Sequence, residues 1–138
     1  MDTGTLYERT ERTKKMNNEV LDIFGEFLME ELRDKIIERF EMINAGLLKS
    51  PSTQRLIQDY NQFNKDQREI IQRVLINSID SGIHDFLFKI QEEQDMNKRI
   101  KIKVNDIDIA VESDGLHGEL FTEDGWIQKY SKYEGNTR

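Results

Sequence analysis

Arg99-Ile-Lys-Ile-Lys-Val-Asn-Asp-Ile-Asp-Ile-Ala-Val-Glu112 is the stretch whose reading decides the fold. Apolar and polar residues alternate on both sides of Asn105-Asp106, the period of a strand, and a short polar pair between two such runs reads as a hairpin turn. With the turn at Asn105 and Asp106, Val104 faces Ile107, Ile102 faces Ile109 and Ile100 faces Val111, so every apolar residue falls on one face. The opposite face checks this register independently, because Lys103 then opposes Asp108 and Arg99 opposes Glu112. An isolated hairpin is marginal in water, so its apolar face needs a cover. Leu116 to Phe121 adds a third strand after the Ser113-Asp114-Gly115 turn.

The cover lies upstream, where the apolar period changes to that of helices. From Val20, the residues Phe24, Phe27, Leu28, Leu32, Ile36, Phe40, Ile43 and Leu47 recur at three- and four-residue steps and predict one long amphipathic helix. Gly25 marks its start or a bend, and Gly46 its end. Ser50-Pro51 opens a shorter helix with Leu56, Ile57, Tyr60 and Phe63. Asn64 and Gln67 form a capping-box pattern ahead of a third helix, whose stripe Ile70, Ile71, Val74, Leu75, Ser78, Ile79, Gly82, Ile83, Phe86, Leu87 and Ile90 makes it the expected centre of the core. The expectation is an α+β fold: an N-terminal three-helix region packed on a small C-terminal antiparallel β-hairpin or three-stranded sheet. One domain spans 1–138, with a helical part over 17–95, a β-rich part over 99–133, a segment over 1–16 that has no apolar stripe and is expected as a flexible arm or as a helix used by a partner, and a loose end from Glu134.

Composition narrows the functional classes. The chain of 138 residues has no cysteine and two histidines, and its apolar and charged fractions are 36% and 34%. Disulfides and thiolate metal sites are thereby excluded, and no apolar run reaches the length of a membrane span. The polar start, Met1-Asp2-Thr3-Gly4, has no secretory signature, and a cytoplasmic location is expected. A net charge of -7 has the wrong sign for a general nucleic-acid binder. Neither G-x-S-x-G nor a phosphate-binding loop ending in Lys-Ser or Lys-Thr occurs.

The acidity is concentrated. Residues 1–18 carry four bases against three acids, whereas 19–49 carry eight acids against four bases. Asp106, Asp108, Glu112, Asp114, Glu119, Glu123 and Asp124 then follow with no Lys or Arg between Lys103 and Lys129. Together with His117 and Trp126 they form the candidate functional surface. On the expected third strand His117 and Glu119 share a face, so an imidazole and a carboxylate converge, and Asp114 completes a candidate metal set, although the spacing matches neither a calcium loop nor a zinc helix. Asp80 and His84, four apart on the third helix, are secondary candidates. His84 and Asp85 are adjacent and point about 100° apart, so no direct dyad is expected of them.

His84-Asp-Phe-Leu-Phe88, Ser113-Asp-Gly-Leu-His-Gly-Glu119, Gly125-Trp-Ile127 and Tyr130-Ser-Lys-Tyr133 resemble segments of a family of small bacterial proteins without an assigned activity. The resemblance covers the chain from about Gln67 onward, implies a bacterial cytosolic origin, and brings no catalytic residues with it.

Small size, acidity and missing catalytic motifs favour a non-enzymatic protein-binding module, adaptor or immunity-like, that meets a basic partner surface. No cofactor is expected. The alternative is a metal- or small-ligand-binding enzyme at His117, Glu119 and Asp114, with His84 from the neighbouring helix. It requires those polar groups to converge in a concavity. A homodimer through residues 19–47 is the third possibility.

Overall fold

A computed structural model describes residues 5–135, the side chains of 12–17 excepted. Helix α1 (Leu6–Leu28) opens on a capping box in which the Thr5 hydroxyl accepts from the Glu8 amide and the Glu8 carboxylate accepts from the Thr5 amide. Residues 6–16 are therefore helical, the second of the two forms expected of this segment, and not a frayed arm. Thr5-x-x-Glu8 is the local sequence signal for that start, although no apolar stripe follows it. Residues 1–4 and 136–138 lie outside the described residues, and with them parts of the arm and of the loose end.

Helix α1 runs without a break through a π-helical turn, Met29–Arg33, into helix α2 (Asp34–Asn44). The Asp34 amide reaches back five residues to the Met29 carbonyl. That extra residue advances the later side chains by one position. The inward face passes from Leu21, Gly25 and Leu28 to Met29, Arg33 and Ile37, while Phe27, Leu32 and Ile36 of the expected stripe turn outward. Gly25 does not start the helix, which runs on both sides of it. A Cβ there would lie 2.4 Å from the Trp126 indole nitrogen, so its role is to let that ring approach the backbone. Gly46, at φ +71°, does end α2, with the Leu47 amide bonded to the Met42 carbonyl and the Gly46 amide to Ile43.

Ser50 caps helix α3 (Pro51–Tyr60), and Asn64 and Gln67 close their capping box on helix α4 (Lys65–Glu92), both bonds at 2.9 Å. Helix α4 buries Ile76, Ile79, Ile83, Leu87 and Ile90. Ile70, Val74 and Phe86 of the expected stripe face outward instead. A second π-helical turn, Glu93–Asn97, ends the helix on Lys98 at φ 54°.

The hairpin forms in the expected register, but only at its tip. Strand β1 (Lys103–Val104) pairs antiparallel with β2 (Ile107–Asp108), Lys103 opposite Asp108 and Val104 opposite Ile107, around Asn105 and Asp106 at φ 50° and 65°. The Ile109 amide still bonds the Ile102 carbonyl at 3.0 Å. There the second strand stops, because the Asp108 carboxylate accepts from the Ala110 amide and caps a short helix α5 (Ile109–Glu112). Ile100 and Val111 are consequently exposed rather than paired, and Arg99 meets Glu93 instead of Glu112. The third strand does not form. Leu116–Glu119 is a 3₁₀ turn held against α4, with Gln91 donating to the Ala110 carbonyl and accepting from the Leu116 amide. Helix α6 (Trp126–Tyr130) follows.

The molecule is thus mostly helical with a two-stranded antiparallel sheet. Its core joins Leu28, Met29 and Ile37 to Ile83 and Leu87 of α4 and to Ile109, Leu116, Leu120 and Trp126 of the C-terminal stretch. Among the described residues no helix is long and apolar enough to cross a membrane.

Candidate functional site

The acidic candidates do not gather into one site. Asp106 sits in the hairpin turn and is exposed, Asp108 is committed to capping α5, and Glu112 is half-buried. Asp114, Glu123 and Asp124 stand exposed on loops. Glu119 accepts from the Ser113 hydroxyl at 2.9 Å, and Ser113 accepts from the Gly115 amide, so this carboxylate pins the loop that carries it. Trp126 is 2% exposed, edge-on to Phe24 at 5.8 Å and seated over Gly25; it is a core residue, not a surface one. Among the described residues no group of three or more His, Asp or Glu side chains is placed to hold a metal ion, so His117, Glu119 and Asp114 are not brought together as strand alternation predicted. The 3₁₀ turn removes that alternation.

The two histidines do meet. Helix α4 and the 3₁₀ turn bring the rings of His84 and His117 to 5.3 Å, edge to face, with Phe88 5.1 Å from His117 and Phe121 5.9 Å from His84. The His117 Nδ1 is buried without a hydrogen-bond partner. His84 Nδ1 lies 3.1 Å from Asp85 Oδ1, so these adjacent side chains touch despite their angular separation on the helix. Asp80, one turn before His84, points elsewhere.

It points at Arg33, a residue that sequence reading passed over. The Arg33 side chain is fully buried, its Nε donating to Asp80 Oδ1 at 2.7 Å and its Nη2 to Asp80 Oδ2 at 3.2 Å. The same guanidinium donates to the Ser131 hydroxyl and to the Tyr133 and Glu134 carbonyls. Ser131 in turn donates to Asp34, which also accepts from the Lys132 amide. A planar guanidinium with five donors suits such a site. One buried cation therefore ties the π-helical turn, α4 and the C-terminal segment together, and only the π register turns it inward. No sequence signal marks that register.

Two further surface features lie elsewhere. A row of exposed apolar side chains, Ile23, Phe27, Leu32 and Ile36, descends α1 and α2, edged by exposed Glu26, Glu30 and Glu31. At the corner of α2, α3 and α4, Phe40, Tyr60 and Phe63 stand edge to face with centroids 5.9 Å apart, and the Arg68 guanidinium lies 4.8 Å over the Tyr60 ring. Burial pushes the Tyr60 hydroxyl above its ordinary pKa, with Arg68 opposing and Glu41 adding to the rise. Set beside known proteins, the chain matches no family model, no curated protein and no solved structure.

Proposed function

We propose that this protein is a small acidic, non-enzymatic protein-binding module, adaptor or immunity-like, acting in the cytoplasm. The observation that carries the reading is the row Ile23, Phe27, Leu32 and Ile36, with Phe27 63% exposed, bordered by Glu26, Glu30 and Glu31. An apolar ridge with a charged rim has the anatomy of a binding surface: burying each large side chain is worth about 1.5–3 kcal/mol, and the rim carboxylates select the partner and speed its arrival. The complementary partner is a protein with an apolar groove rimmed by Lys and Arg. The exposed acids Asp106, Asp114, Glu123 and Asp124 extend the same negative field.

The test compares wild type with two folded variants, Phe27→Asp/Leu32→Asp and the neutralised set Glu112, Asp114, Glu119, Glu123 and Asp124, in affinity capture from a bacterial lysate. A protein retained by wild type and lost from the ridge variant supports the reading, and loss from the acidic variant as well extends the surface to the loops. Capture that neither variant changes removes it. Light scattering on the same samples distinguishes a second copy as the occupant, which would double the 16.4 kDa mass.

A second reading, a metal- or small-ligand-binding enzyme, keeps His117 of the expected set, without Glu119 and Asp114, and draws on the approach of His84 to His117 and the unpartnered His117 Nδ1. Stoichiometric metal that disappears on His117→Ala would favour it over the binding module. Metal-free protein with unchanged stability in that variant would dismiss it.

A further inference from the structure

The first half of α1 stands clear of the core. Every residue of 6–18 whose side chain is described is exposed, Leu6 at 76% and Tyr7 at 73%, and burial begins only at Val20. An isolated helix shorter than about 12–15 residues is marginal in water, so a helical segment that buries nothing is suited to lie against a second surface. Its charge says which surface. Residues 6–18 carry four bases, Arg9, Arg12, Lys14 and Lys15, against two acids, Glu8 and Glu11. Residues 19–32 of the same continuous helix carry five acids and no base.

The acidic half holds the apolar ridge. Ile23, Phe27 and Leu32 are exposed on it, and Glu26, Glu30 and Glu31 form no ion pair among the described residues. The neighbouring bases stand at its edges, Lys129 engaged with Asp22 and Lys35 beyond Leu32. At about 100° per residue, the positions of Arg9 and Arg12 fall within about 40° of the midline of Ile23 and Phe27, so one face of one helix is basic first, then apolar and acidic. Two such helices side by side in parallel set like charge against like. Antiparallel, the basic half of each meets the acidic half of the other, and a single two-fold axis makes that match twice. The two halves also agree in reach, about 20 Å each at the rise of an α-helix.

We infer that the ridge is covered by a second copy of this chain, the two α1 helices antiparallel, residues 6–18 of each lying along Ile23, Phe27 and Leu32 of the other and the basic positions Arg9 and Arg12 facing Glu26 and Glu30. The inference rests on the reading of the ridge as a protein-binding surface and names an occupant that carries the required Lys and Arg.

Light scattering on the full chain at low salt, at concentrations up to about 100 µM, tests this. Wild type should show twice the 16.4 kDa mass of one chain. Arg9→Glu/Arg12→Glu and Glu26→Arg/Glu30→Arg should each weaken self-association at least about tenfold, because like charges then face each other in both halves of the pair, while circular dichroism shows the helices retained. An equimolar mixture of the two variants should recover the wild-type mass, since each reversed half meets an opposite one. A monomeric wild type, a dimer indifferent to both reversals, or a mixture that stays monomeric would overturn the second copy as occupant. The binding-module reading falls separately, in the capture experiment: a monomer whose ridge still retains a lysate protein loses the dimer and keeps that reading.

Discussion

Helix α4 and the stretch from Arg99 to Gly135 face the same core and are held by different means. Helix α4 is carried by local bonds, opening on a reciprocal cap at Asn64 and Gln67 and presenting an apolar face at helical spacing. The C-terminal stretch has two residue pairs of sheet and short local bonds at Asp108 and at Ser113 and Glu119, and side chains from elsewhere fix it to the helices: Gln91 for Ala110 and Leu116, Arg33 for Ser131, Tyr133 and Glu134, Asp34 for Lys132. A local period can specify a helix by itself. A segment whose bonds end on distant side chains takes its shape from them, whatever period it carries.

The sharpest way to break this dependence is Asp80→Ala, which strands the buried Arg33 cation between the two regions. A loss of about 3–5 kcal/mol is expected, read from the urea unfolding midpoint. A loss under about 1 kcal/mol would show that the guanidinium is content with its uncharged partners. Next comes Gly25→Ala, which forces a methyl into the Trp126 ring. A destabilisation of about 1–3 kcal/mol should appear together with a change in tryptophan emission, since the ring must shift. The same substitution at Gly82 should act in the opposite direction, because nothing lies within 4 Å of a Cβ there and the residue is exposed on α4. A gain of about 0.5–1 kcal/mol is expected from helix propensity, and a loss would mean that α4 is less self-sufficient than its pattern implies.

The smallest effect belongs to the joint between the two regions. Arg99 bonds Glu93 and holds its carboxyl below the ordinary value of 4.5. A depressed folded pKa means that the unfolded chain binds more protons, so this contribution is whole above about pH 4.5 and is lost as the pH falls through the folded value. Arg99→Gln should lower the plateau above about pH 4.5 slightly and flatten the acid limb, the two curves converging at low pH, and an unaltered plateau and limb would remove the pair from the account.

The caps at Ser50 and Asn64 and the turn at Asn105 and Asp106 were legible because each is written within four residues of sequence. So was the tip register, Lys103 against Asp108. The extension of that hairpin to Ile100 and Val111 was not, because Asp108 can either face Lys103 or cap a helix, and in the fold it does both. Alternation through Leu116 to Phe121 misled for a related reason: Gln91 satisfies the Leu116 amide that a strand neighbour would otherwise need. The inward turn of Arg33 depends on one inserted residue in a helix whose composition is unexceptional on either side. Of the candidate site, the meeting of His84 with His117 is a tertiary fact, as is the approach of Phe40 on α2 to Tyr60, 20 residues downstream.

Arg33 also sets an order in time. Its acceptors Ser131, Tyr133 and Glu134 stand 98, 100 and 101 residues downstream, so a chain emerging from the ribosome presents this cation long before most of its partners exist. Until they arrive Asp80 is its one charged partner, and the guanidinium has three of its acceptors still to find. The packing around Arg33 is thus complete only when the last residues of the chain are in place.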